Sequence, residues 1–201
     1  MKSILLLAPL CATLALTAPT TLTPTPAGFV PGDHDWVVDA VHSSVVFRVK
    51  HADISWFQGS FDHVEGTLTF DPAHPEAGKV ALTIPVDKLD SNDAKRDGHL
   101  AGPDFFNAKE NPNIVFSSTK IQQRADGKFD VTGELELAGT KKPITLLVEK
   151  SGEGDFYGPR IGWWTTFSIK RSDFGMDYGV AKNQLGDEVM LSIGLETTKA
   201  K

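Results

Sequence analysis

The sequence predicts an all-β fold, an eight-stranded antiparallel barrel with one short helical insertion. Three observations predict it. Apolar side chains recur at every second position in run after run, turn residues separate the runs, and a single polar stretch breaks the alternation. Period-two patterning puts one set of side chains on an apolar face and the other on a wet face.

The first run has Val45, Phe47 and Val49 alternating with Val46, Arg48 and Lys50. After a connection bearing Gly and Trp, Val64, Gly66, Leu68 and Phe70 alternate with Glu65, Thr67 and Thr69. Val80, Leu82, Ile84 and Val86 form the third run, in which Pro85 donates no ladder bond and belongs near a strand end or edge. Residues 89–112 are polar and hold Gly98, Gly102 and Pro103. There Asn92 is placed to cap a short helix from Asp93 to about Leu100, followed by the adjacent rings Phe105 and Phe106. Strand patterning resumes at 113–122 and 129–137, joined by the turn residues Ala125, Asp126 and Gly127. A turn at 139–143 leads into Ile144, Leu146 and Val148. Ile161, Trp163, Thr165, Phe167 and Ile169 alternate in the next run, and Val189, Leu191, Ile193 and Leu195 in the last. Long strands with only a short insertion favour a barrel over a sandwich, and eight strands can enclose one small ligand.

Residues 1–18 read as a secretory signal peptide. Lys2 supplies the positive start, an apolar run follows from Ile4 to Leu16, and small residues near Ala18 offer a cleavage site, with Ala27 a second choice. The apolar run is shorter than the ~20 residues of a spanning helix. Residues 19–34 are Thr- and Pro-rich and read as a flexible tether to a single domain at 35–198. Cys11, the only cysteine, falls in the leader, so the processed chain has no thiol and no disulfide. Loss of the leader takes the net charge from −6 to −7, because Lys2 is its only charged residue. That balance argues against nucleic-acid binding, which needs a basic stripe, and weakens docking to anionic lipid. The expected location is periplasmic or secreted.

No nucleophile elbow, phosphate loop or dinucleotide fingerprint occurs, and the six histidines form no metal-ligand spacing, so neither a catalytic set, a cofactor nor a metal is expected. Arg96, Asp97 and His99 make the densest polar cluster. It reads either as an ion-paired latch closing the helix onto the barrel end or as a polar collar for a ligand headgroup. Lys170 and Arg171 mark a basic strand end running into a tight turn.

Ordered motifs along the chain carry a resemblance. They begin with Trp36, Asp39, His42, Ser43, Phe47, Val49 and His51, then Gly59, Phe61, Gly66, Asp71 and Pro72. Arg96, Asp97, His99, Leu100, Asp104, Phe105 and Phe106 follow, with Asn111 and Pro112 running into Phe116, Ser117 and Ser118. Later come 131–135, Gly139 and Thr140 with Lys142 and Pro143, 169–171, 173–175 and 186–189. Over residues 35–197 this resembles the YceI-like domain; the Lys141-Lys142 pair departs from its pattern, within a turn. The resemblance implies an extended, lipocalin-like barrel that binds a long polyisoprenoid or similar amphiphile inside, often in the periplasm and often as a homodimer. It supplies no catalytic set.

With that reading, the ligand-binding candidates are Phe47, Val49, Leu68, Phe70, Phe116, Leu135, Phe167 and Ile169, with Phe105 and Phe106 near the mouth. His51, Arg96 and His99 are candidate headgroup contacts, and a membrane is the expected donor or acceptor of the lipid. Two other functions fit the same residues. One is an enzyme acting on a lipid or quinone through His51 or His99 with Asp97. The other is a packed barrel used as a protein-interaction module.

Overall fold

A computed structural model describes residues 32–201; the leader and most of the tether lie outside the described residues. The strands are β1 (Asp35–Val38), β2 (Ser44–His51), β3 (Ser55–Phe61), β4 (Glu65–Thr69), β5 (Lys79–Pro85), β6 (Leu89–Asp90), β7 (Asn113–Gln123), β8 (Phe129–Leu137), β9 (Thr140–Asp155), β10 (Pro159–Lys170) and β11 (Leu185–Lys199). One α-helix, α1 (Ala94–Leu100), and short 3-10 turns at Pro75–Ala77, Val86–Lys88 and Arg171–Phe174 join them.

All pairings are antiparallel, and they close into a ring: β1, β4, β5, β7, β8, β9, β10, β11 and back to β1. This is the eight-stranded barrel the alternation predicts. Closure pairs most of the edges that an open sheet would leave bare. Three of the walls are made of two strands in line. β1 pairs with the far end of β11 while β2 pairs with its nearer half, from Leu185 to Gly194. β4 and β3 in turn pair with β1 and β2, and β5 and β6 with β4 and β3.

The alternation sorts side chains as expected. In β8, Phe129, Val131, Leu135 and Leu137 are buried inside, while Asp130, Thr132, Glu134 and Glu136 lie between them on the outer side. The structure corrects the sequence reading in four places. Ser55–Phe61, read as a connection, is a strand paired along its whole length with β2. Its inner row of Phe57, Gly59 and Phe61 has a glycine where the pattern needs a large residue. β1 is also a strand, and period two fails there because Trp36, Val37 and Val38 are all buried. The helix is capped by Asp93, whose side chain accepts from the Arg96 N–H at 2.9 Å; Asn92 instead stands before it with φ +62°. β9 also outruns its apolar residues, because a polar hairpin arm continues past the barrel to Asp155.

Candidate functional site

The inner faces of the strands leave a cavity of about 200 Å³. Along β10 its wall includes Trp163, Thr165, Phe167 and Ile169, six strand steps or ~20 Å at ~3.3 Å per residue. The space is therefore a slot. Its volume is below the ~300 Å³ of an ordinary ligand pocket, so size alone would suit a nearly filled barrel. What distinguishes it is a continuous apolar wall. All ten residues singled out as ligand-binding candidates lie on that wall: Phe47, Val49, Leu68, Phe70, Phe105, Phe106, Phe116, Leu135, Phe167 and Ile169.

Two glycines keep the slot open. A Cβ on Gly59 would stand 2.5 Å from the Phe47 ring, and one on Gly133 would stand 2.6 Å from the Phe116 ring. Both rings thus lie flat against bare backbone instead of crossing the lumen. The polar side chains of the wall are Thr69, Thr165 and Arg171, and each has its polar atoms committed elsewhere. Thr69 Oγ1 donates to Asp35 at 2.6 Å, and Thr165 Oγ1 donates to the Leu147 carbonyl at 2.9 Å. Arg171, only 3% exposed, donates to the carbonyls of Gly186, Met176, Tyr178 and Leu185 at 2.6–3.0 Å. Burial lowers the Arg171 pKa from its ordinary value, opposed by the charges of Asp187 and Asp177. Its role is to tie down the loop that follows β10.

Aromatic rings pack at both ends of the barrel. At one end, Phe105, Phe106, Leu100 and Met176 cover the lumen, and His99, Phe105 and Tyr178 stack on one another with centroids 5.0–5.3 Å apart. At the other, Phe70 stacks on Trp163 and Phe129 at 4.9 and 5.7 Å, with Trp36, Ile161 and Thr197 buried beyond.

The predicted headgroup contacts do not join this site. His51 is exposed at the end of β2, opposite Ser55 and Leu185. His99 Nε2 and Asp104 Oδ2 share a hydrogen bond of 2.9 Å on the outer side. Arg96 packs over the Phe57 ring at 4.4 Å and donates to the hydroxyl and carbonyl oxygens of Ser91. None of the three lines the cavity. The latch around them is a hydrogen-bonded one: Arg96 and Asp97 both grip the fully buried Ser91. His99 and Asp97 hold different partners, so they form no acid–base pair with each other.

The sequence pattern of the YceI-like domain matches residues 36–197. The chain belongs to the YceI-like family. It is 38% identical to protein YceI of Escherichia coli O157:H7 over 176 residues, which covers 86% of this chain and 90% of that protein. The crystal structure of BcnA from Burkholderia cenocepacia superposes with a TM-score of 0.73 at 29% identity, covering 80% of this chain and 99% of that one. A polyisoprenoid binding domain from Saccharophagus degradans superposes with a TM-score of 0.64 at 16% identity, over 82% of this chain and 98% of that one. At that identity the likeness is one of fold.

This YceI-like barrel carries a second polar cluster that sequence reasoning missed. Asp39, in the break between β1 and β2, accepts from Arg160 Nη1 at 2.7 Å and pairs with His42 Nδ1 at 2.9 Å. Arg160 also pairs with Glu196, and Ser43 Oγ bonds the Asp39 carbonyl and the Glu196 N–H. Burial opposes ionisation of Asp39, but the bonds from Arg160, His42 and the Val41 N–H outweigh it and hold its carboxyl below the usual range. Asp39, His42 and Glu196 bring ligand atoms within 4.8 Å of one another, a spacing a metal could use. The Arg160 guanidinium already supplies the positive charge to both carboxylates, so the cluster fits a clamp better than a metal site. Arg160 lies 121 residues from Asp39, and only the strand register brings them together.

Proposed function

We propose that this YceI-like barrel holds a long apolar chain, a polyisoprenoid or a similar amphiphile, in its lumen and carries it between membrane donors and acceptors in the periplasm or outside the cell. The observation that carries this reading is the wall itself. It is apolar along its length, and each polar group on it already has a partner. A slot of this kind gains little from a polar or compact ligand. Burying ~400 Å² of chain at ~25 cal/mol per Å² yields about 10 kcal/mol gross, and association and ordering remove much of it. Measurable affinity can therefore arise without a polar anchor. The Saccharophagus degradans domain of the same fold, named for polyisoprenoid binding, supports the ligand class. The signal-peptide pattern read in residues 1–18 is what supports the location. Because the free volume is small, loading must move the half-buried rings Phe47, Phe70, Phe106 and Phe167.

Energy transfer from Trp163, which is on the wall, to the polyene fatty acid cis-parinaric acid tests the reading. Transfer should saturate, and prenols should displace the probe more strongly as they lengthen. Val131→Trp, which fills the lumen from β8, should abolish transfer while the far-ultraviolet spectrum stays that of a barrel. Transfer that is unaffected by Val131→Trp, or that never occurs, contradicts it.

A further inference from the structure

Packed rings stand in the way at both ends of the barrel, so a route through the side wall is the alternative for a chain that enters the lumen. The strand pairings show where the wall is weakest. The β9–β10 ladder stops at Val148 opposite Thr165. Beyond that point Thr166–Lys170 pairs with β11 alone, and Thr140–Leu147 pairs with β8 alone. Two strand edges thus face each other across a split without ladder bonds. The split has a defined top, where Thr165 Oγ1 reaches the Leu147 carbonyl at 2.9 Å in place of a ladder N–H. It has a defined bottom, where the buried Phe174 turns in against Thr140.

Its rim is apolar. Leu147 and Trp164 are 43% and 44% exposed on the outside, while Ile144, Leu146, Phe167 and Ile169 line the cavity directly behind. The other weakly paired edge, on β3 beyond Ser60, is covered by α1 through Arg96 on Phe57. The β9–β10 split has no such cover among the described residues.

We propose that this split is the portal through which the ligand chain enters and leaves the barrel sideways, its polar end staying outside at the rim. The inference rests on the proposed function and adds the route and the side on which the headgroup lies. Parting strands that share no ladder bonds leaves only two side-chain hydrogen bonds to break, from the Thr165 hydroxyl at the top and from the Thr140 hydroxyl to the Phe174 carbonyl at the bottom. Opening either end disrupts packed aromatic rings, and at the α1 end the Arg171 bonds as well.

The test staples the split after folding. In a chain with Cys11→Ser, the outward-facing pair Thr145→Cys and Ser168→Cys, opposite each other if the register continued, is joined by a short bis-maleimide. The control joins Thr132→Cys and Thr145→Cys, which already face each other in the β8–β9 ladder. Uptake of cis-parinaric acid should slow by roughly tenfold or more in the first and stay unchanged in the second, as expected of a gate. Thr165→Val, which removes the top bond, should speed uptake in the unstapled chain and leave it slow in the stapled one. Normal uptake through the stapled split overturns the portal and leaves the cavity reading intact. Failure of the unstapled chain to take up the probe overturns the cavity reading, and the portal with it.

Discussion

Asp39 shows how one residue secures the barrel where two strands run in line. Its carboxylate is held below its ordinary pKa against the opposing effect of burial. A carboxyl lowered in the folded state contributes stability above its unfolded pKa of ~4, and this is lost as pH falls through the lower folded value. Asp39→Asn should therefore remove about 2 kcal/mol at neutral pH, because Arg160 keeps only Glu196 as a charged partner. The variant should also unfold with a shallower dependence on acid. Urea titrations at pH 7 and below pH 4 check both, and equal losses at the two pH values would contradict the clamp. Gly133 acts by absence. Gly133→Ala puts a methyl into the Phe116 ring and the Ser117 carbonyl, so it should cost about 1–3 kcal/mol. It should also weaken uptake of an apolar probe, because the displaced ring enters the lumen.

At the scale of elements, α1 is a cover. It packs Arg96 on β3 and, with Phe105 and Phe106, shuts one end of the lumen. Asp93→Ala removes its cap and should destabilise the helix by about 1 kcal/mol. That loss should appear as faster amide exchange within Ala94–Leu100. Uptake should keep its rate, since the proposed route runs between β9 and β10. Faster uptake in this variant would move the portal to the α1 end. Much of this level was legible. The alternating runs located all eight walls, and Pro85 stands at a strand end as its missing N–H requires. β3 was not legible, because Gly59 breaks the apolar row that the eye follows. The β9 arm was not legible either: Gly152, Glu153, Gly154 and Asp155 give no face to bury, and pairing with β10 alone holds them extended. In the same way the ten wall residues could be read from period two, whereas the Asp39–Arg160 clamp and the β9–β10 split depend on register. Register is a long-range property that local patterning does not specify.

For the whole molecule, the consequence of closure is a lumen without polar function. Groups that looked chemical in the sequence, His51, Arg96 and His99, are spent on strand ends and on the helix latch, outside the cavity. The apolar residues that looked merely structural form the site. A tube of this kind should select by chain length and shape more than by headgroup, because it offers no free donor or acceptor inside. The central claim is that the lumen holds such a chain. Organic extraction of the purified full chain, followed by mass spectrometry, tests it most directly. The account predicts about one long isoprenoid or similar amphiphile per barrel, lost in Val131→Trp. An extract without any such chain, from a protein that also fails to take up an added prenol, would contradict it.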